Sequence, residues 1–273
     1  MRGIISRFAP APTGFLHLGH VVNALEVWRE TRARGGRVLL RIEDHDRRRS
    51  RREFEAAILE DLAWLGFAAD APPVRQSERG AIYQEALERL RRQGLIYACA
   101  CTRTEVAQAF RPADAGLQPR ATPEMVYPGT CRERGLAEGS GVGLRVRLDP
   151  SLERFTDLRL GRQEQRPSEQ CGDLLVRDRD GHWTYQFAAT VDDFVQDVTL
   201  VIRGVDLLDS TGRQIQLARL LGRAEPPAFL HHGLIMKSPT QKLSKSDGDT
   251  GVRDLRARGW TPQQVIETAL AAT

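Results

Sequence analysis

The chain has 273 residues, 41% of them hydrophobic and 28% charged, and a formal net charge of +4. That apolar share can build a real core and excludes a disordered chain. No run of eighteen apolar residues occurs and the N-terminus lacks the long apolar stretch of a signal peptide, so a soluble cytoplasmic protein with no membrane contact is expected.

Ile4 to Phe8 reads as a short strand. The chain breaks at Pro10 and Pro12, turns through Thr13-Gly14 and enters a helix expected to begin near His20. A strand feeding a helix through a loop with glycine and histidine is a ready anion site, because the first helical N–H groups lack partners and carry partial positive charge. His17 and His20 can donate to phosphate oxygens, and Gly19 allows close approach to the backbone. Two surface histidines beside an ordinary turn would look the same from this stretch alone.

Val21, Leu25 and Trp28 recur at helical spacing, and Gly35-Gly36 stop the helix. Arg37 to Glu43, RVLLRIE, reads as a buried strand, which makes a βαβ unit with parallel pairing. Ligands in such sheets sit beyond the carboxyl ends of the strands, so the 7–20 loop and Glu43-Asp44-His45-Asp46 should share one edge.

Ser50-Arg51-Arg52-Glu53 has the pattern of a capping box, opening a helix with Phe54, Ile58, Leu62 and Leu65 inward. A second helix is expected from Gln76-Ser77, with Tyr83, Leu87 and Leu90 on one face. From Cys99 to about Gly172 the helical period weakens, and this stretch is expected to be an insertion, with a strand near 142–148. Strand patterns return at 173–177 and 183–187, and helix at 188–191. A strongly apolar strand, VTLVIR, ends at Arg203. Ser210-Thr211 should cap a helix to about Leu221, a further strand is expected over 229–236, and Thr261-Pro262-Gln263-Gln264 opens a last helix.

Only Lys237, Lys242 and Lys245 among forty basic residues are lysine. Two of them lie in Lys242-Leu243-Ser244-Lys245-Ser246. A loop of this composition can bring ammonium groups onto a triphosphate as charge develops. Four cysteines occur, at 99, 101, 131 and 171. Cys99 and Cys101 are too close for a comfortable disulfide, and with Cys131 they offer three thiolates for a tetrahedral zinc; three reduced buried thiols are the alternative.

HLGH at 17–20 and KLSKS at 242–246 together resemble the two signatures of class I aminoacyl-tRNA synthetases. RFAPAPTGFLHLGH, RIED and VDDFVQDVTLVIRGVDLLDSTGRQIQL resemble the glutamyl/glutaminyl branch. The resemblance covers nearly the whole chain. It ends at Thr273, where glutamyl-tRNA synthetases continue into anticodon-binding domains, and so is strongest to the truncated paralogue family, the glutamyl-Q tRNA(Asp) synthetases. That resemblance implies glutamate activation with ATP and Mg²⁺, then transfer to queuosine in the anticodon loop of tRNA(Asp). The alternatives are the catalytic part of a conventional glutamyl-tRNA synthetase, or a non-catalytic zinc-stabilised RNA-binding module.

The implied fold is α/β. A Rossmann-like parallel sheet (1–96 and 183–238) holds an inserted zinc-stabilised α+β subdomain (97–182), with the KLSKS loop and a C-terminal helix at 239–273. The resemblance assigns His17, Gly19, His20, Lys242, Ser244 and Lys245 to ATP, with the two histidines and two lysines catalytic. Arg7, Phe8, Ala9, Pro10, Ala11, Glu43, Tyr185 and Arg203 fall to glutamate, with Tyr185 and Arg203 on later strands. Where the family reads APSPTG, Ala11 replaces the serine and removes a hydroxyl near the amino acid. Tyr127 would complete a single structural zinc site with Cys99, Cys101 and Cys131. A monomer is expected.

Overall fold

The computed structural model describes residues 3–46, 49–109, 125–234, 236–238, 241–242 and 251–271. The first half runs β1 (Ile5–Phe8), α1 (Leu18–Ala33), β2 (Arg37–Ile42), α2 (Arg52–Trp64), β3 (Val74–Arg75), α3 (Gly80–Arg92), β4 (Ile96–Cys99) and α4 (Arg103–Ala109). Then come β5 (Gly143–Val146), β6 (Glu153–Asp157), β7 (Gly161–Gln165), α5 (Pro167–Gln170), β8 (Leu174–Arg177), α6 (Tyr185–Val195) and β9 (Leu200–Gly204). The chain closes with α7 (Thr211–Leu220), β10 (Ala228–His232), β11 (Met236–Ser238), β12 (Gln241–Lys242), α8 (Val252–Ala257) and α9 (Pro262–Ala271).

The expected βαβ unit is present. β1 pairs in parallel with β2, from Ile5 opposite Arg37 to Phe8 opposite Leu40, and β2 pairs in parallel with β3. β9 pairs in parallel with β10, and β10 with β6. Thr199 links the two sets: its N–H donates to the Ile5 carbonyl at 2.9 Å and its Oγ1 accepts from the Ile5 N–H at 2.8 Å. Phe8, Val27, Val38, Ile42, Ile58, Leu200 and Ile202 form one buried core across these elements. A second core, around Tyr83, Leu87, Val146, Val176 and Phe187, lies under the antiparallel sheet β4-β5-β8. Within 97–182 the strands divide: β4, β5 and β8 make that sheet, whereas β6 and β7 join β10 and β9.

Several local expectations are corrected. α1 begins at Leu18 with His17 as its cap, because His17 caps the helix with its own ring. Ser50 does not cap α2; the cap residue is Arg51, whose N–H is drawn to the Pro12 carbonyl. Ser210 makes no side-chain cap bond to α7, because Val205–Ser210 is already a 3₁₀ turn running into it and the Ser210 hydroxyl accepts from Gln186 instead. The 183–187 stretch is not a strand, so Tyr185 sits on the first turn of α6. Thr184 ends the extended run, and the helix that follows buries Phe187, Ala188 and Val191. The 229–236 strand is two pieces, β10 and the start of β11, split at Gly233-Leu234. The last cap is as expected: Thr261 and Gln264 exchange side-chain-to-backbone bonds at 2.8 and 3.3 Å. Among the described residues no helix is long and apolar enough to cross a membrane.

Candidate active site

β1 ends at the first expected contact. Arg7 is 5% exposed and donates through Nε to Asp193 Oδ1 at 2.9 Å. Arg41, completely buried on β2, donates to the same oxygen at 2.7 Å and to Glu43 Oε1 at 3.3 Å. A guanidinium with no access to water must be neutralised on the spot, and Asp192, Asp193 and Glu43 do so. The same paired charges fix where Arg7 and Glu43 point. Burial works against the Asp193 carboxylate, but Arg7 and Arg41 outweigh it and hold it down at about 2. Burial pushes Glu43 up, and the nearby guanidiniums only partly reverse that.

The loop after β1 brings Pro10 to Glu43, whose N–H donates to the Pro10 carbonyl at 3.0 Å. Loop and strand end therefore meet at one edge. Phe8 turns its ring into the core against Trp28, so only its backbone faces this edge. Ala9 and Ala11 are half-buried there.

Tyr185 from α6 and Arg203 from β9 face the same centre. Burial raises the Tyr185 hydroxyl; the charge of Glu43 adds to the shift, while Arg203, Arg7 and Arg41 oppose it. Arg203 is 3% exposed, and burial and the charge of Arg7 pull its pKa down, though a guanidinium stays protonated. Its Nε, Nη1 and Nη2 donate to His231 Nε2 at 3.1 Å, Gln214 Oε1 at 2.6 Å and Thr211 Oγ1 at 2.8 Å. All three partners are neutral acceptors. Four expected residues from four elements thus converge, with two guanidiniums, a carboxylate and a phenol.

At the entry of α1 the histidines form a reciprocal cap. His17 Nδ1 accepts the Gly19 N–H and His20 Nδ1 accepts the His17 N–H, both at 3.1 Å. The rings lie 3.9 Å apart. A neutral ring whose Nδ1 accepts carries its proton on Nε2, so each imidazole is set as an Nε2–H donor. A Cβ on Gly19 would meet His17 Cε1 at 2.9 Å, so glycine is required by the cap itself.

For KLSKS, the backbone of Lys242 pairs with Met236 in the β11-β12 hairpin. Ser244 and Lys245 lie outside the described residues. Gly251, the next described residue, bridges His17.

Cys99, Cys101 and Cys131 place their sulfurs within 4.8 Å of one another. Tyr127 Oη is 3.4 Å from Cys99 Sγ and 4.0 Å from Cys101 Sγ, and Cys101 and Cys131 are 3.5 Å apart. Tetrahedral zinc with bonds near 2.3 Å needs sulfurs just under about 4 Å apart, so this donor set fits the ion. Burial opposes the Cys131 thiolate, but hydrogen bonds with Ala100, Cys101, Tyr127 and Cys99 bring it down to about 7. Arg145 stacks 3.6 Å over the Tyr127 ring and donates Nε to Cys99 Sγ at 3.3 Å, a positive charge against an electron-rich cluster. Gly172, at φ +66°, holds the Tyr127 backbone; a Cβ there would lie 2.1 Å from its carbonyl oxygen.

The residues that sequence reasoning missed are the charge partners: Arg41, Asp192, Asp193 and His231. The available signal was two adjacent aspartates inside the otherwise apolar stretch FAATVDDFV.

Comparison with known proteins shows the family. Residues 3–271 match the family described as tRNA synthetases class I (E and Q), catalytic domain. A glutamyl-Q tRNA(Asp) synthetase of Rhodobacter capsulatus is 39% identical, over 96% of this chain and 98% of its own length. One of Bordetella bronchiseptica is 45% identical over 89% of this chain and 75% of its length. Among solved structures, a glutamate tRNA ligase from Elizabethkingia meningosepticum, in complex with its amino acid, superposes with a TM-score of 0.74 at 30% identity. It covers 91% of this chain, which spans about half of that ligase (53%).

Proposed function

The chain belongs to the class I glutamyl/glutaminyl tRNA synthetase family, among the glutamyl-Q tRNA(Asp) synthetases, and on that premise we propose that it activates L-glutamate with ATP and passes it to queuosine in the anticodon loop of tRNA(Asp). The observation that carries the reading is the convergence of Arg7, Glu43, Tyr185 and Arg203 at the strand end whose following loop leads into the histidine cap of α1. A dicarboxylic amino acid asks for two cations and one anion. Arg7 and Arg203 would take its carboxylates, Glu43 its ammonium, and Tyr185 one polar edge. Phe8, Ala9, Pro10 and Ala11 would supply backbone and a small wall.

The first step joins a glutamate α-carboxylate oxygen to the α-phosphorus of ATP. The bond from that phosphorus to the bridging oxygen breaks, and pyrophosphate leaves. No side chain acts as nucleophile, so the rate comes from positioning and from donors aimed at the developing phosphate charge. His17 and His20 would donate through Nε2, Gly19 would admit the phosphates, and Lys242, Ser244 and Lys245 would close over them. Mg²⁺ arriving with ATP would neutralise phosphate charge. The adenylate then gives up AMP as glutamate passes to the modified base.

We read 1–96 and 183–238 as the catalytic halves, 97–182 as the RNA-facing insertion and 239–273 as the KLSKS loop and closing helix. Cys99, Cys101, Tyr127 and Cys131 would hold one zinc, which would serve structurally by tying the end of β4 to the Tyr127 segment. The acting form is a monomer. Glutamate-dependent ATP–pyrophosphate exchange tests the first step; exchange with glutamate is expected, and none, with or without tRNA, would favour a non-catalytic RNA-binding module.

A further inference from the structure

We propose that His231 is a positioning residue for the glutamate site, holding Arg203 through the imidazole tautomer that Asp157 selects.

Asp157 is 1% exposed and uses both oxygens. Oδ1 accepts the N–H groups of Arg159 and Leu160, each at 2.9 Å. Oδ2 accepts the His231 N–H at 3.1 Å and lies 2.7 Å from His231 Nδ1. Three backbone N–H donors already occupy this carboxylate as an acceptor, so the proton between Asp157 and the ring belongs to Nδ1. The neutral ring therefore turns a lone pair on Nε2 toward Arg203. Arginine has only donors, and its Nε meets that lone pair at 3.1 Å. Thr211 Oγ1 also lies 3.3 Å from Nε2; the other tautomer could donate to it, but only by setting N–H against the nearer N–H of Arg203.

Burial and the charge of Arg203 bring His231 down to about 4 despite Asp157, so the ring is neutral at working pH. The consequence is chemical. An aspartate in place of His231 would also accept from Arg203 Nε, but it would cancel the charge that a substrate carboxylate needs. A neutral acceptor, itself oriented by a carboxylate one ring further away, fixes the guanidinium plane and leaves its charge for the ligand. Gln214 and Thr211 complete the same all-neutral frame. Selection of a carboxylate over its amide at Arg203 depends on this frame.

The inference rests on the reading that Arg203 meets a glutamate carboxylate. Its test compares wild type with His231→Leu, which cannot accept, and His231→Gln, whose Oε1 can. Kinetics of ATP–pyrophosphate exchange are measured against glutamate, glutamine and ATP, with thermal melting as the fold control. His231→Leu is expected to raise KM for glutamate about tenfold or more, as loss of a hydrogen bond to a charged group does. It should narrow the preference for glutamate over glutamine and leave KM for ATP unchanged, and His231→Gln should recover most of the loss. If His231→Leu does not fold, His231→Asn, polar but too short to reach Arg203, takes its place. An unchanged glutamate KM in the non-accepting variant overturns the inference, as does a folded His231→Gln no better than His231→Leu. Wild type that exchanges no pyrophosphate with glutamate contradicts the reading of the site and removes the inference with it; normal wild-type exchange with an indifferent His231 removes the inference alone.

Discussion

Gly251 and His17 form an antiparallel backbone bridge, and the next N–H, of Val252, donates to the Leu16 carbonyl at 2.9 Å. Two segments more than two hundred residues apart in sequence therefore meet at the entry of α1. α8 holds the contact in place: Arg253 pairs with Glu60 and Arg256 reaches Glu60 at 2.9 Å, both across to α2. The chain that leaves the KLSKS segment is anchored on the histidine turn.

From that anchoring, Lys245→Ala is expected to lower kcat for pyrophosphate exchange by about 10²–10³-fold, the cost of one preorganised donor on a developing phosphate charge. Melting should be unchanged. Gly19→Ala, which drives a methyl against His17, should raise KM for ATP more than KM for glutamate. Normal exchange in Lys245→Ala would separate the loop from the chemistry.

Asp193 holds Arg7 and Arg41 with one oxygen. Asp193→Asn removes the charge that both guanidiniums face, and leaving buried charge short of a partner costs about 3 kcal/mol. Chemical denaturation should show that loss, and glutamate KM should rise while ATP KM does not. A variant with wild-type stability and KM would show that Arg7 is oriented without Asp193.

Asp61 on α2 is wholly buried, and neither oxygen accepts a hydrogen bond among the described residues, though Arg253 Nε lies 3.5 Å away. Burial raises it to about 6, against the pull of Arg253. A carboxyl raised in the folded state favours folding while it is protonated, and that contribution fades as pH climbs through about 6. Melting temperature should therefore fall between pH 5 and 7 by an amount that Asp61→Asn abolishes. At pH 7.5 the variant should melt a few degrees higher. A variant less stable at every pH would contradict this.

Elemental analysis should give one zinc per chain, and a strong chelator should lower the melting temperature. Gly172→Ala should weaken zinc retention, because the added methyl displaces the Tyr127 carbonyl and φ is +66° there. Full retention in Gly172→Ala, or a protein as stable without zinc, would remove the structural role.

The βαβ opening was legible because its signals are local: apolar runs, a paired glycine stop and a loop of special residues. The Tyr185 stretch, WTYQF, misled because aromatic alternation has strand character, while its helix is set by packing of Phe187 beside Tyr83 on α3. β6 and β7 escaped because ERFTD and GRQEQ carry one apolar side chain between them, Phe155; their other inward positions are Glu153, Asp157 and Gln165. The converging residues Arg7, Glu43, Tyr185 and Arg203 were readable from motifs. Their partners were not: Asp193 reaches Arg41 across 152 positions and Asp157 reaches His231 across 74, distances at which a single sequence carries no pairing signal.

The most direct test is transfer of labelled glutamate to tRNA(Asp) that carries queuosine, beside tRNA(Asp) lacking it and tRNA(Glu). The proposed function predicts ATP-dependent labelling of the queuosine-bearing tRNA alone. Labelling of tRNA(Glu), or of tRNA(Asp) regardless of queuosine, would contradict it.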